Sequence, residues 1–348
     1  MSTHPDPISV HSKAVIIDAV HNAAFDKNYF QRIMASGCTA IVVTLAMPFY
    51  GGDRVGRALQ DIAEWSDLFE DASDLTIHVR NFEDIYRAKE SGRVGIMFGF
   101  QDGGPVERNP GLLRIYHRLG LRIMSLCYNA RNLLADGCTE PSDAGLSRAG
   151  REIVADLNGI GVVLDLSHMG ARSAMEAVRI SRAPVVLTHS NPRRLCDNPR
   201  NVSDELMTEV ATTGGVVGVS PLPMLLTRKA EKRERSLEDY IRHVEYVMEL
   251  VGPDHVGFGS DFYRFNLDDA IRRDVATGFL ARLQREPVCS EEDIDPVTYE
   301  LRFPAGIGSV EELPNLTRAL LDRGHSPEAV QKVLGGNFLR VFREVWRR

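Results

Sequence analysis

Three short apolar runs in this sequence end in side chains that do chemistry. GVVLDLSH closes on His168, APVVLTHSN carries His189, and HVGFGSD closes on Asp261. Imidazole suits zinc, and a catalytic zinc keeps an open position for water. A carboxylate close by can take the proton of that water. One histidine at the end of a strand is more often a satisfied structural group than a ligand. Two at successive run ends, with an aspartate further on, favour a metal or catalytic site. A fourth stretch, AVIIDAVHNAAF from Ala14 to Phe25, delivers His21 in the same way and places Asn22 beside it. Other run ends offer Gln101, Asp102, Tyr128 and Asn129.

These residues need elements to hold them. Eight β-rich runs are legible: Ala14–Val20, Ala40–Leu45, Val94–Phe100, Arg122–Tyr128, Gly161–His168, Pro184–His189, Val216–Ser220 and Val256–Asp261. Most are nearly continuous in Val, Ile, Leu and Met, as strands buried on both faces must be. Between them lie helical patterns such as Arg54–Phe69, Gly111–Leu119, Ala149–Asn158 and Asp204–Thr212. Ser203 is a fair start for the last of these, and Gly214–Gly215 a fair stop. Eight strands, each followed by a crossover, predict an α/β fold of the (β/α)8 TIM-barrel kind, with chemistry at the carboxyl ends of the strands. The tail from Pro327 into GGNFLRVF adds helix. No linker divides the chain, so residues 1–348 read as one barrel domain with a helical extension. Arg264–Gly308 is the least regular segment and is expected to form a lid or a dimer contact. Tyr263 and Arg264 follow Asp261 closely enough to shape the pocket, but their place is not assigned.

Composition narrows the function. The 348 residues are 43% hydrophobic and 26% charged, as in ordinary globular proteins. No apolar run reaches the roughly 18 residues that span a bilayer. The start MSTHPDPISVHSK lacks a basic head and an apolar core, so a cytoplasmic protein is expected. The net charge is −7, and no basic stripe with interleaved aromatics suggests nucleic acid. The mixed run Lys229–Arg235 reads as a solvated helix face. Five scattered cysteines, none in a CxxC pair, read as reduced thiols. Cys127 and Cys138 are read as packing residues, and His117 and His243 as surface groups. His255 leads its strand at the amino end, the stability face of a barrel. No GxSxG elbow, Walker loop or GxGxxG appears.

LDLSHMGARSAMEAV, APVVLTHSNPRRLCDNPRNVSDE, HVGFGSDF and GGNFLRVF together resemble the renal (membrane) dipeptidase family, peptidase family M19 of the amidohydrolase superfamily. The similarity runs along nearly the whole chain and is strongest from Val94 through Asp261. It implies a (β/α)8 barrel with a binuclear zinc site, hydrolysis of dipeptides, and a homodimer. Residue by residue, it implies that His168 and His189 hold one zinc. Asp261 then handles the proton of the attacking water, and Arg200, in NPRN, binds the substrate carboxylate. A guanidinium fork meets a carboxylate with two hydrogen bonds.

The chain departs from that pattern on one side of the site. The family's first strand carries His-x-Asp where this sequence has Val20 and Asn22. His21 falls one residue out of register, which on a strand turns a side chain to the opposite face. It therefore reads as a non-ligand. A bridging glutamate is replaced by Gln101, and a histidine that polarises the scissile carbonyl by Tyr128. The expectation is one zinc per chain, held by His168 and His189, with Gln101 Oε1 or Asp261 adding a weak third bond. Asp261 is the expected proton carrier. Tyr128 is the expected donor to the oxyanion, and Arg200, Tyr128 and Asn22 the substrate contacts. The first expected reaction is hydrolysis of a dipeptide or a small N-acyl amino acid. The alternative is a one-metal or metal-free lyase, decarboxylase or isomerase acting on a small carboxylate. A barrel that only binds a ligand has little need for a metal and a proton carrier together.

Overall fold

The computed structural model describes residues 5–47, 52–227, 234–264, 278, 288–295 and 301–346. Its strands, in chain order, are β1 (Ile17–Asp18), β2 (His21–Ala23), β3 (Ala40–Thr44), β4 (Thr76–His78), β5 (Val94–Phe100), β6 (Leu121–Ser125), β7 (Val163–Asp165), β8 (Val186–Leu187), β9 (Val216–Val219), β10 (Val256–Phe258) and β11 (Phe262–Arg264). The main sheet runs β1-β3-β5-β6-β7-β8-β9-β10, and its neighbours pair in parallel. The Ala19 N–H donates to Phe258 O at 3.1 Å and joins β10 back to β1. The expected (β/α)8 barrel is therefore present, with each of the eight runs contributing one strand.

Alternation along the strands sorts the core. Ile17, Val42, Met97, Ile123, Val163, Val186 and Val216 gather into one cluster from around the ring. Their strand neighbours Ile41, Val43, Phe98, Met124, Leu164 and Val217 pack instead with the helix layer. Both faces of a parallel barrel strand are buried, which is why these runs read as continuous in the sequence. Helix ends follow local chemistry. Ser203 caps Asp204–Thr212 by accepting from Leu206 N, and Asn81 and Asp84 form a reciprocal capping box for Phe82–Ser91.

Side chains brace the seam between β1 and β10. Asp18, 2% exposed, accepts from Ser260 N at 2.7 Å and from the Ser260 hydroxyl. The GGNF stretch covers the same seam from the amino-terminal end. A side chain at Gly335 would meet Val15 O at 2.4 Å, and one at Gly257 would meet the Phe338 ring at 2.3 Å. Asn337 Nδ2 donates to Pro253 O and Val256 O, each at 2.8 Å. Helix Asn337–Val345 then sets Phe338, Val341 and Phe342 against the barrel's interior cluster.

Some expectations change. β4 lies on β5 below β6, and β2 pairs with β11 as a separate two-stranded sheet. These strands of three residues are too short and too polar for periodicity to reveal. His243 is not a surface group: it is fully buried in helix Leu237–Val251, and its Nε2 faces Leu226 O at 2.9 Å. The helix carries its hydrophobic face around to that side. His117 is half-buried. Cys127 is buried, and burial pushes its thiol well above the ordinary range. His255 faces Gly215 O at 2.9 Å below β10. Of the expected Arg264–Gly308 excursion, residues 265–277, 279–287 and 296–300 lie outside the described residues, as do 229–233 of the charged run. Arg235, at the end of that run, pairs with buried Asp293 at 2.6 Å. Among the described residues, no helix is long and apolar enough to cross a membrane.

Candidate active site

Parallel strands deliver their last residues to one end of the ring, and the expected site residues stand there. His168 follows β7, His189 follows β8, Gln101 follows β5 and Asp261 follows β10. The structure places His168 Nε2 and His189 Nε2 2.8 Å apart. Each outer nitrogen is held in turn. His168 Nδ1 donates to Asn129 Oδ1 at 2.7 Å. Thr188 Oγ1 gives its proton to Asp165 Oδ2 at 2.7 Å and so accepts from His189 Nδ1 at 2.6 Å. Asp165 Oδ1 is fixed by Ser167 N and Thr188 N, both at 3.0 Å. With both Nδ1 atoms protonated, two Nε2 lone pairs face each other. Two lone pairs at this distance repel unless a cation lies between them, and orienting partners on the far nitrogen are what a metal-binding histidine needs. His189 is buried, and burial with the Arg200 charge holds its pKa well below the ordinary value. It is thus a neutral ligand near pH 7.

Among the described residues, the other side of the site has no comparable donors. Val20 is buried and apolar. Asn22 Nδ2 is committed to Asp261 Oδ1 at 2.6 Å. Gln101 Nε2 donates to Thr44 Oγ1 at 2.8 Å, and the buried Gln101 Oε1 has no hydrogen-bond partner among the described residues. His21 is fully buried with both nitrogens engaged, Nδ1 by Asp18 Oδ2 at 2.8 Å and Nε2 by Tyr29 Oη at 2.7 Å. It packs against Phe25 and Phe262, while Asn22 turns to the other face, as the slipped register requires. Among the described residues, no group of three or more His, Cys, Asp or Glu side chains converges as a metal site. The donor set fits one divalent cation on two imidazoles, with coordination left for Gln101 Oε1 or solvent. Among the described residues it offers no donor set for a second.

Around that pair stand the polar groups of a reaction site. Asp261 is 4% exposed. Burial pushes its carboxyl up to about 7, against the Asn22 hydrogen bond and the Arg200 charge; Asp18 pushes it the same way as burial. The Tyr128 ring lies on the His168 ring, centroids 3.9 Å apart and 25° from parallel. Arg200 is 4% exposed and is tied by Nη2 to His189 O at 3.2 Å. Among the described residues it makes no ion pair. His168 and Asp261 both hold the left-handed backbone conformation, φ 74° and 49°. Non-glycine residues adopt it at a cost, and such strain gathers at functional sites.

Sequence reasoning paired His168, His189 and Asp261 but left out the groups that orient them. For Asn129 the sequence shows only its place at a strand end. Thr188 directly precedes His189, and that adjacency was an available signal. Asp165 and Asp18 lie inside apolar runs, and a charged residue buried in a strand core is itself a pointer to a polar network. The sequence does not place Tyr263. It sits on β11 opposite Asn22 on β2. Burial, then the charges of Asp261 and Tyr128, push its hydroxyl well above the usual tyrosine range.

A family model described as membrane dipeptidase (peptidase family M19) matches residues 3–300 and 298–347 of the chain. Dipeptidase tcpJ of Claviceps purpurea is 30% identical over 281 residues, covering 80% of this chain and 57% of its own length. Dipeptidase aclJ of Aspergillus oryzae is 33% identical over 256 residues, covering 73% and 52%. The chain thus spans little more than half the length of these curated relatives. Among solved structures, an amidohydrolase from Pseudomonas aeruginosa matches with a TM-score of 0.86 at 34% identity, covering 99% of this chain and all of that one. The probable dipeptidase PvdM of the same organism matches with a TM-score of 0.80 at 21% identity over 98% of each chain, a likeness of fold.

Proposed function

Because the chain belongs to the membrane dipeptidase family, peptidase family M19, we propose that it hydrolyses a dipeptide or another small N-acyl amino acid at the site between His168, His189 and Asp261. The observation that carries this reading is Arg200. A buried guanidinium without a carboxylate partner among the described residues is costly to keep unless a ligand completes it. Its charge acts on both Asp261 and His189, so a carboxylate bound to it lies beside the proton carrier.

The remaining roles follow from position. His168 and His189 would hold a divalent ion, expected to be one zinc per chain. Such an ion supplies positive charge that acidifies water and polarises a carbonyl. Asp261, as a carboxylate, takes the proton of the attacking water and returns it to the leaving amine nitrogen. Burial favours its protonated form, so both states are accessible near neutral pH. Tyr128 donates to the oxygen that gains charge as the carbonyl is attacked, a task a neutral donor fills well. Asn22 keeps Asp261 oriented by its 2.6 Å bond. Arg200 fixes the substrate by its carboxylate.

A second reading rests on the neutral half of the site. Val20, Asn22 and Gln101 leave no charge there to support a bridging hydroxide, which suits proton transfer during elimination, decarboxylation or isomerisation of a small carboxylate. A panel of dipeptides, including D-residues at the carboxyl end, separates the two. Release of free amino acids supports hydrolysis. A panel left intact by metal-loaded protein overturns it in favour of the second reading. The partners in either case are small carboxylates, and a homodimer is the expected assembly, checked by sedimentation.

A further inference from the structure

We propose that His21 is a positioning residue: working through Asp18, it holds Asn22 against Asp261. This rests on the role of proton carrier given to Asp261 above. Asn22 and Asp261 stand on opposite sides of the seam, and each follows a residue bound to the same buried carboxylate. His21, just before Asn22, lies with Nδ1 2.8 Å from Asp18 Oδ2. Ser260, just before Asp261, gives its N–H to Asp18 Oδ1 at 2.7 Å and its hydroxyl to Asp18 Oδ2. A carboxylate only accepts, so His21 Nδ1 donates. One acceptor therefore ties both strands. The backbone agrees with it: Asp261 N donates to Val20 O at 2.9 Å, and β11 pairs with β2 in parallel, Phe262 against His21.

The imidazole is held from its other side as well. Its Nε2 lies 2.7 Å from the hydroxyl of Tyr29, on helix Lys27–Ala35. The Phe25 and Phe262 rings pack on it with centroids 5.9 and 5.8 Å away. A ring engaged at both nitrogens and packed by two aromatics has one orientation. Successive side chains of a strand point to opposite faces, so a fixed His21 fixes the direction of Asn22 while His21 itself reaches no reacting atom. The pair it serves needs such support. Asp261 holds φ at 49°, a conformation that a non-glycine residue keeps only where its surroundings over-determine it. The 2.6 Å bond from Asn22 Nδ2 to Asp261 Oδ1 is part of that surrounding. A residue present only to fill space here needs no polar atom, whereas an apolar side chain in place of His21 would leave buried Asp18 one donor short.

Two measurements test this. In the first, kcat and KM for a dipeptide are compared for wild type, His21→Asn and His21→Gln. The shorter amide places a donor where imidazole Nδ1 stands and keeps the bond to Asp18; the longer one reaches the Nε2 position and loses it. His21→Asn should stay close to wild type. His21→Gln should lower kcat roughly tenfold with KM unchanged, less than the hundredfold that a misplacement of about 1 Å can cost. Adding His21→Gln to Asn22→Ala should cost no more than Asn22→Ala alone, because both act through one bond. A Gln variant as fast as the Asn variant, a loss confined to KM, or multiplying losses overturn the proposal. If His21→Gln does not fold, Ser260→Ala takes its place by removing the hydroxyl donor on the other side of Asp18; the same fall in kcat is expected, and an unchanged kcat overturns the proposal. In the second measurement, crystal structures of the unliganded variants are compared. Asn22 Nδ2 should stay within hydrogen-bond distance of Asp261 in His21→Asn and leave it in His21→Gln, or in Ser260→Ala where that variant replaces it. A bond kept in both overturns the proposal. If the protein cleaves no dipeptide, the hydrolytic reading falls and the second measurement alone decides whether His21 holds Asn22 on Asp261.

Discussion

Asn22 Nδ2 donates to Asp261 Oδ1 at 2.6 Å, across the seam where the last strand of the barrel meets the first. An amide thus braces the proton carrier from the side of the site that has no metal donors. The bond favours the carboxylate form of Asp261, while burial favours the acid, and the balance lies near 7.

This balance sets the pH profile. If Asp261 must be ionised to accept a proton, kcat/KM rises with pH through the Asp261 pKa and then levels. Removing the amide removes a bond to the charged form, so Asn22→Ala should move that acid limb to higher pH. Asp261→Asn should lower turnover by about 10²–10⁴-fold with the fold retained by circular dichroism. A limb that stays in place in Asn22→Ala, or an active Asp261→Asn, defeats the assignment.

Metal content follows from the His168–His189 pair. Purified protein dialysed against zinc should hold one equivalent per chain by elemental analysis, and either His168→Ala or His189→Ala should lose it. Gln101→Leu should weaken binding without abolishing it, because its carbonyl oxygen is at most a third donor. Two equivalents retained after dialysis would show that the neutral half of the site binds metal after all.

Arg200 makes a prediction about substrates rather than rate. Arg200→Lys exchanges a planar fork for a point charge. KM for dipeptides with a free carboxyl end should rise roughly tenfold, the scale of a charged hydrogen bond, about 1.5 kcal/mol. Dipeptide amides should be poor substrates of the wild type and should be affected little by the exchange. Equal losses on both substrate types would remove Arg200 from carboxylate recognition.

His243 offers a stability test away from the site. Burial lowers its pKa to about 4 in the folded protein, against an ordinary value near 6.5 when unfolded. Between those values the unfolded chain binds a proton that the folded one does not. Stability from the neutral imidazole is therefore complete above about pH 6.5 and is lost as pH falls toward 4. The stability advantage of wild type over His243→Gln in urea unfolding should shrink by about 2 kcal/mol between pH 7 and pH 5. A pH-independent difference would mean that His243 titrates alike in the folded and unfolded chain, so that burial does not lower its pKa.

Much of this was legible in the chain itself. Parallel barrel strands are buried on both faces, so their runs of Val, Ile, Leu and Met stand out, and each of the eight appears where the pattern puts it. The side chains at their carboxyl ends follow at once, because strand direction is shared around the ring. The register of His21 was legible for the same reason: period two allows only two faces. Its partners were not, since Tyr29 comes from a helix and Phe262 from the far end of the chain.

What the sequence determined by itself was therefore the barrel, the end of it that carries chemistry, and the side chains present there. These depend on local periodicity and on residue type. Only the tertiary structure decided how the groups are wired: Nε2 facing Nε2, Asn22 on Asp261, the Tyr128 ring on His168, and His243 inside rather than out. Each of those pairings joins residues from different strands or helices. Their distances are set by how the ring closes, and no repeat along the chain encodes that.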